Sequence, residues 1–212
     1  MAPEPAAPVR TGRARRFDPE TEVALLLDAT ITVLRRNDYD EVVIADILDE
    51  AGLSTRSFYR HFDSKDELLL TLYQRDALAA ADRLRTRVDR AATPPAKLEA
   101  WIDEILSFRY DKRKAERVAL LGAASARRAE GYAKEATRSA RLLATPLLEL
   151  LEQGSADGSF PAADPTRDAD YIRALVFDVA GLNAVDRGRA HAVHGNATQD
   201  ILGFCLRALG AS

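Results

Sequence analysis

Residues 53–69 read LSTRSFYRHFDSKDELL, and the local chemistry of this stretch decides the fold. Ser54 has the short acceptor side chain of a helix N-cap, which predicts a brief helix from there to about Phe62. Phe58 and Phe62 stand four residues apart on one helical face, the face expected to meet a core. The other positions, Thr55, Arg56, Ser57, Tyr59, Arg60 and His61, carry an unusual density of hydrogen-bonding groups for so short a helix. A helix anchored on one side and polar on the others can enter the DNA major groove, where its donors meet base edges and phosphates. Ser64 and Glu67 then form a capping-box pattern, each expected to satisfy the other's orphan amide, and start a further helix carrying Leu68, Leu69, Leu72 and Tyr73. Lys65 in its first turn sets a cation beside a helix N-terminus, an arrangement that favours phosphate.

Immediately upstream, Ala51-Gly52-Leu53 makes a tight turn in which Gly52 can take a positive φ. It closes a helix predicted over 43–50, with Ile44, Ile47 and Leu48 inward. Helix, glycine turn and short helix together make a helix-turn-helix. Before it, Asp18-Pro19 is a cap followed by proline at the first helical position, and Val23, Leu26, Leu27, Thr30, Ile31 and Leu34 continue at helical spacing. Residues 1–17, rich in Ala, Pro and Arg, are expected to form a disordered basic arm. Its Arg10, Arg13, Arg15 and Arg16 suit either a minor-groove contact or a solubilising tail.

Downstream, amphipathic stretches fall near 95–109, 113–128, 130–153, 165–187 and 197–209, with Thr93-Pro94 and Asp164-Pro165 as start signals. Pro146 lies inside the third of these, where it should kink the helix and free the Leu142 carbonyl. There is no strand alternation and no repeat. The expected fold is all-α, about nine helices. It divides into the arm (1–17), a helix-turn-helix domain (18–66) and a larger helical domain for ligand binding and dimerisation (67–212).

Composition narrows the function. The chain has 212 residues, 47% hydrophobic and 30% charged, enough for a sizeable core. No apolar run reaches the roughly 18 residues needed to span a bilayer. The N-terminus has no apolar signal-peptide core, and the single Cys205 cannot form an internal disulfide. A cytoplasmic location, away from membranes, is expected. The net charge of -3 does not suggest a general nucleic-acid coat. Residues 21–75 carry 6 basic and 11 acidic side chains, yet Leu53 to Phe62 holds Arg56, Arg60 and His61 with no acid. Binding limited to one face follows. No Gly-rich phosphate loop, nucleophile elbow or Glu-x-x-His pair is present, so an enzyme is not expected. His191 and His194 are spaced like metal ligands, but two ligands do not make a zinc site, and neither metal nor cofactor is expected. The competing class is a helical adaptor that binds only protein, or a regulator without a small ligand. Apolar anchors, not polar side chains, would then line the short helix.

The same stretch resembles the tetracycline-repressor (TetR) family. The resemblance rests on Ala51-Gly52-Leu53-Ser54, on Phe58-Tyr59-Arg60-His61-Phe62 and on Ser64-Lys65-Asp66-Glu67-Leu68-Leu69, and covers about residues 21–73. It implies a homodimer that binds a palindromic operator in double-stranded DNA and is released by a small-molecule effector. By position, Thr55, Arg56, Ser57, Tyr59 and His61 fall on the family's DNA-contacting surface, with Arg60 more to the side. Val42 and Val43 stand where the family often has Thr hydroxyls for the backbone phosphate, so that contact is expected to be missing.

The resemblance further implies an apolar pocket among the helices of 95–187. The residues expected to line it are Trp101, Ile105, Phe108, Leu121, Leu143, Leu147, Tyr171 and Leu175, with Asn183, Thr145 and Ser125 as polar anchors. No cluster of charges marks a charged ligand, so a mostly apolar effector is expected. Dimerisation is assigned to the last two helices. Leu175, Val179 and Leu182 on one, with Ile201, Phe204, Cys205, Leu206 and Leu209 on the other, offer apolar surface, and Gly181 and Gly203 permit close approach. In the implied switch, the effector moves the fourth helix, separates the two heads and frees the operator.

Overall fold

The structure is a computed structural model that describes residues 17–38, 40–122, 126–182 and 196–211. The arm through Arg16, Ser125, Asn183, His191 and His194 lie outside the described residues. Among the described residues there are nine α-helices and no strand. They are α1 (Pro19–Leu34), α2 (Ile44–Ala51), α3 (Thr55–His61), α4 (Lys65–Asp89), α5 (Pro94–Tyr110), α6 (Lys112–Leu121), α7 (Tyr132–Asp157), α8 (Pro165–Val179) and α9 (Ala197–Ala208). A short 3-10 turn, Ala126–Arg128, precedes α7.

Six of the nine described helices begin where a short polar side chain takes an orphan amide. Asp18 accepts from the Thr21 amide at 2.9 Å, Ser54 from Ser57 at 3.2 Å, Ser64 from Glu67 at 3.1 Å and Asp164 from Arg167 at 3.2 Å. The box at Ser64 differs from expectation in one respect. The Glu67 carboxylate reaches one residue further back and accepts from the Asp63 amide at 2.6 Å. Gly52 ends α2 with φ 65°, the left-handed conformation that its turn requires.

Two lengths were overestimated from periodicity. The helix expected over 113–128 stops at Leu121, and the chain resumes as the 3-10 turn. The helix expected to reach 187 ends at Val179. There Gly181 at φ 70° lets its amide bond Asp178 while the Leu182 amide reaches back to Phe177. That pairing satisfies the last carbonyls and turns the chain away. Pro146 does not break α7, which runs on to Asp157.

The buried apolar side chains form two cores. The first gathers Leu26, Val33, Ile47, Phe58 and Phe62 from α1 to α3 with Leu68, Leu69 and Leu72 of α4. Leu121 at the end of α6 and Ala129 complete it. The second gathers α5, α7, α8 and α9 around Trp101, Ile105, Leu147, Phe160 and Val176. α4 reaches both, contributing Ala80, Leu84 and Val88 to the second. It packs on α1 at one end and on α5 and α7 along the rest, and so joins the two bodies.

Candidate nucleic-acid interface and ligand cavity

α3 is fastened from below. Phe58 and Phe62 are buried, and Tyr59 stands edge-on to Phe58 with ring centroids 5.3 Å apart. This leaves Thr55, Arg56, Tyr59 and Arg60 exposed, Tyr59 at 57%. A large aromatic held open beside a Thr and two Arg forms a surface with base-edge and phosphate chemistry but little apolar cover.

Ser57 and His61 do not share that surface. Ser57 is buried, because the N-capping geometry turns its hydroxyl to within 3.2 Å of Ser54 Oγ. The His61 ring lies against α1, with Nε2 2.9 Å from Glu22 Oε2. Arg60 donates to the same carboxylate oxygen at 3.3 Å while its side chain stays half exposed. Lys65 donates to the Val42 carbonyl at 2.8 Å, so its ammonium ties α4 to the segment before α2 as well as standing at a helix start. Val42 is buried and Val43 is exposed, its amide bound to Asp46. Glu22 was missed by sequence reading. The signal was present: Glu22, Leu26, Ala29 and Val33 recur at helical spacing, which sets a carboxylate on the buried stripe of α1.

Between α4, α6 and α7 lies a cavity of about 440 Å³. Of the residues expected in a pocket, Phe108, Leu121 and Leu143 line it. Trp101, Ile105 and Leu147 do not. They are fully buried in the second core, where Trp101 stacks nearly parallel on Phe177 at 6.2 Å. Tyr171 is 67% exposed on α8, and Leu175 is half-buried outside the cavity wall. Thr145 is exposed, its hydroxyl returned to the Arg141 carbonyl at 3.0 Å.

The cavity is also not as neutral as the sequence suggested. Among the described residues, Arg35, Arg83, Arg113, Lys114, Arg117 and Arg127 border it against a single carboxylate, Asp76. Arg113, Lys114 and Arg117 lie in the charged run 111–117, but Arg35, Arg83 and Arg127 come from three other segments, so their convergence on one border is a product of the fold. Arg117 clasps Asp76 through Nε and one terminal nitrogen, the latter at 2.8 Å, joining α6 to α4. Lys114 donates to the buried Glu104 at 2.6 Å. Arg35 and Arg117 also border a second cleft of about 500 Å³ between the end of α1 and α6.

On the proposed dimer face, Val179, Leu182 and Ile201 are half-buried and Phe204 is 56% exposed. Leu182 also reaches the cavity wall. Cys205 and Leu209 belong instead to the second core. α9 lies on α5, and Leu202, Cys205 and Leu209 form its inward face. Burial pushes the Cys205 thiol up to about 11, so it stays protonated and inert at neutral pH. Among the described residues no helix is long and apolar enough to cross a membrane.

The sequence model for bacterial regulatory proteins of the tetR family matches residues 26–72. The fatty acid metabolism regulator protein of Bacillus subtilis (strain 168) is 24% identical over 83 residues. That match spans 39% of this chain and 43% of the relative, less than half the relative's length. Among solved structures, FadR from Bacillus subtilis in complex with stearoyl-CoA superimposes with a TM-score of 0.66 at 16% identity, over 87% of this chain and 98% of that one. FadR from Bacillus halodurans gives 0.65 at 19% identity, over 92% and 97%. A transcriptional regulator from Pseudomonas aeruginosa PAO1 gives 0.69 at 20% identity, over 95% of each chain. At these identities the likeness is one of fold.

Proposed function

We propose that this chain, whose N-terminal domain is a DNA-binding domain of the tetR family of bacterial regulatory proteins, is a ligand-responsive transcriptional repressor. It acts in the cytoplasm as a homodimer on a palindromic operator. The observation that carries the reading is α3: two buried phenylalanines fix it, and its outer face offers Thr55, Arg56, Tyr59 and Arg60. Two such helices, one per subunit, would enter successive major grooves of a two-fold site. Arg56 and Tyr59 are assigned to base edges and phosphates, and Arg60 to the flanking backbone.

The effector is assigned to the cavity between α4, α6 and α7. Its apolar floor and cationic border fit an amphiphile with an anionic end, and the fold relative from Bacillus subtilis holds stearoyl-CoA. The coupling is geometric. α4 and the end of α6 line the cavity and also close the first core, so displacing either one moves the seat of α3. An effector that favours the released state by a few kcal/mol suffices to empty the operator.

The test is a gel-shift selection with fragmented genomic DNA, followed by titration of the selected site with and without a long-chain acyl thioester. Retention of palindromic fragments and their release by the thioester is the expected result. Binding without sequence preference, or none, overturns the reading.

A further inference from the structure

One wall of the cavity carries a polar group whose chemistry its surroundings leave unanswered. Ser139, on the cavity face of α7, is only 6% exposed, and its Oγ has no hydrogen-bond partner. Among the described residues it is the one buried side-chain polar atom in that condition. Several helical hydroxyls in this molecule turn back to the carbonyl four residues earlier. Thr30 bonds Leu26 at 2.7 Å, Thr137 bonds Ala133 at 2.9 Å and Thr145 bonds Arg141 at 3.0 Å. Ser139 leaves the corresponding route, to Glu135, unused and keeps its proton uncommitted. Buried hydroxyls are normally satisfied, so a free donor on a cavity wall points to an acceptor supplied from inside the cavity.

The surroundings say what kind of molecule brings that acceptor. Ala136, Ala140 and Leu143 flank Ser139 along α7 with apolar wall. The border is cationic, and Arg35 and Arg83 have no acidic partner among the described residues. A ligand that satisfies all three features has an apolar chain, an anionic end and, between them, an oxygen that accepts without a proton of its own. Resting on the reading of this cavity as the effector site, we propose that Ser139 is a specificity-determining residue. Its hydroxyl donates to a carbonyl oxygen within an anionic, long-chain amphiphile, and so selects an acyl compound over its alkyl counterpart.

Isothermal titration with palmitoyl-CoA and with S-hexadecyl-CoA isolates that one atom, because the thioether replaces only the carbonyl by a methylene. The native protein should bind the thioester about tenfold more tightly, the effect of one hydrogen bond. Ser139→Ala should bring the two ligands within about twofold by weakening the thioester alone, with an unchanged melting temperature. Arg35→Gln should weaken both ligands alike and leave their ratio intact, because it touches only the anionic end.

Equal binding of the two ligands by the native protein overturns the proposal. So does a preference that survives Ser139→Ala. Operator affinity, measured without ligand on the same preparations, separates this from the regulator reading. Loss of operator binding overturns that reading. Intact operator binding with no acyl preference overturns the Ser139 assignment alone, and intact operator binding with neither ligand bound overturns the amphiphile cavity and Ser139 together.

Discussion

Tyr59 is a large aromatic that the protein holds in the open, and among the described residues its one ring partner is Phe58 beneath it. Truncation therefore removes little from the core. Tyr59→Ala should weaken operator binding at least tenfold, the scale of one good protein–DNA contact of about 1–3 kcal/mol, while the melting temperature stays within a degree or two. An unchanged titration curve would move recognition away from α3. Glu22 works from the other side of the same helix. At 4% exposure its carboxylate serves both Arg60 and His61, so it fixes the last turn of α3 against α1. Glu22→Ala leaves His61 with its inward-facing nitrogen unsatisfied, at a cost of about 1–3 kcal/mol. For a chain of this size each kcal/mol lowers the melting temperature by about 2–4 °C. Calorimetry should show that loss, and a gel shift should show weaker binding, because the recognition helix is less firmly seated. Sequence reading found the outward residues Thr55, Arg56 and Tyr59 because exposure alternates with the Phe58–Phe62 stripe. It misplaced Ser57 and His61 because a short helix leaves little truly outward surface, and capping and a distant carboxylate claim the rest.

Among the elements, α7 carries most of the deviations from a plain helix. Proline inside a helix ordinarily costs about 3 kcal/mol, and here Pro146 is buried with the helix continuing past it. Trp101 Nε1 donates to the Leu143 carbonyl at 2.9 Å, giving the loosened turn a partner from α5. The two turns before the proline present Ser139, Ala140 and Leu143 to the cavity. Pro146→Ala should therefore bind operator normally and shift the effector dose-response. An identical dose-response would leave Pro146 a structural residue. One turn before the end of α7, Gly154 lies under the Phe160 ring, where an added Cβ would come within 2.1 Å of the ring carbons. Phe160 is fully buried and cannot step aside. Gly154→Ala should cost about 1–3 kcal/mol through overpacking, seen as a lower denaturant midpoint with unaltered operator affinity per folded molecule. The number and type of elements were legible because caps such as Asp18, Ser54, Thr93 and Asp164 are local chemistry. Their ends at Leu121 and Val179 were not, since apolar periodicity continues past the point where the chain turns. The interior of the bundle was least legible. Every inward Leu looks alike in sequence, and only packing separates Leu143 on the cavity from Leu147 in the core.

At the scale of the whole molecule, the second core is complete within one subunit, and Phe204 is left outside it on α9. Phe204→Glu should accordingly leave the subunit folded but set an unpaired charge in the proposed dimer face, a cost of several kcal/mol. Light scattering should then report the single-chain mass of 23.2 kDa. A persistent dimer would place the interface elsewhere. α6 ties the two cores together. Its Val118 packs on the second, its Leu121 is buried in the first, and Arg117 clasps Asp76 on α4 between them. The reading head is therefore not a detachable cartridge, although its recognition motif is contiguous in sequence. A hybrid that grafts this head onto the body of a relative at residue 66 would part Phe58 from Leu68, Leu69 and Leu72, and would meet a foreign side chain where Leu121 belongs. New operator specificities are more safely exchanged by replacing the outward side chains of α3 alone. Families built on such shared helices can diversify what they read at the surface much faster than they can trade whole heads.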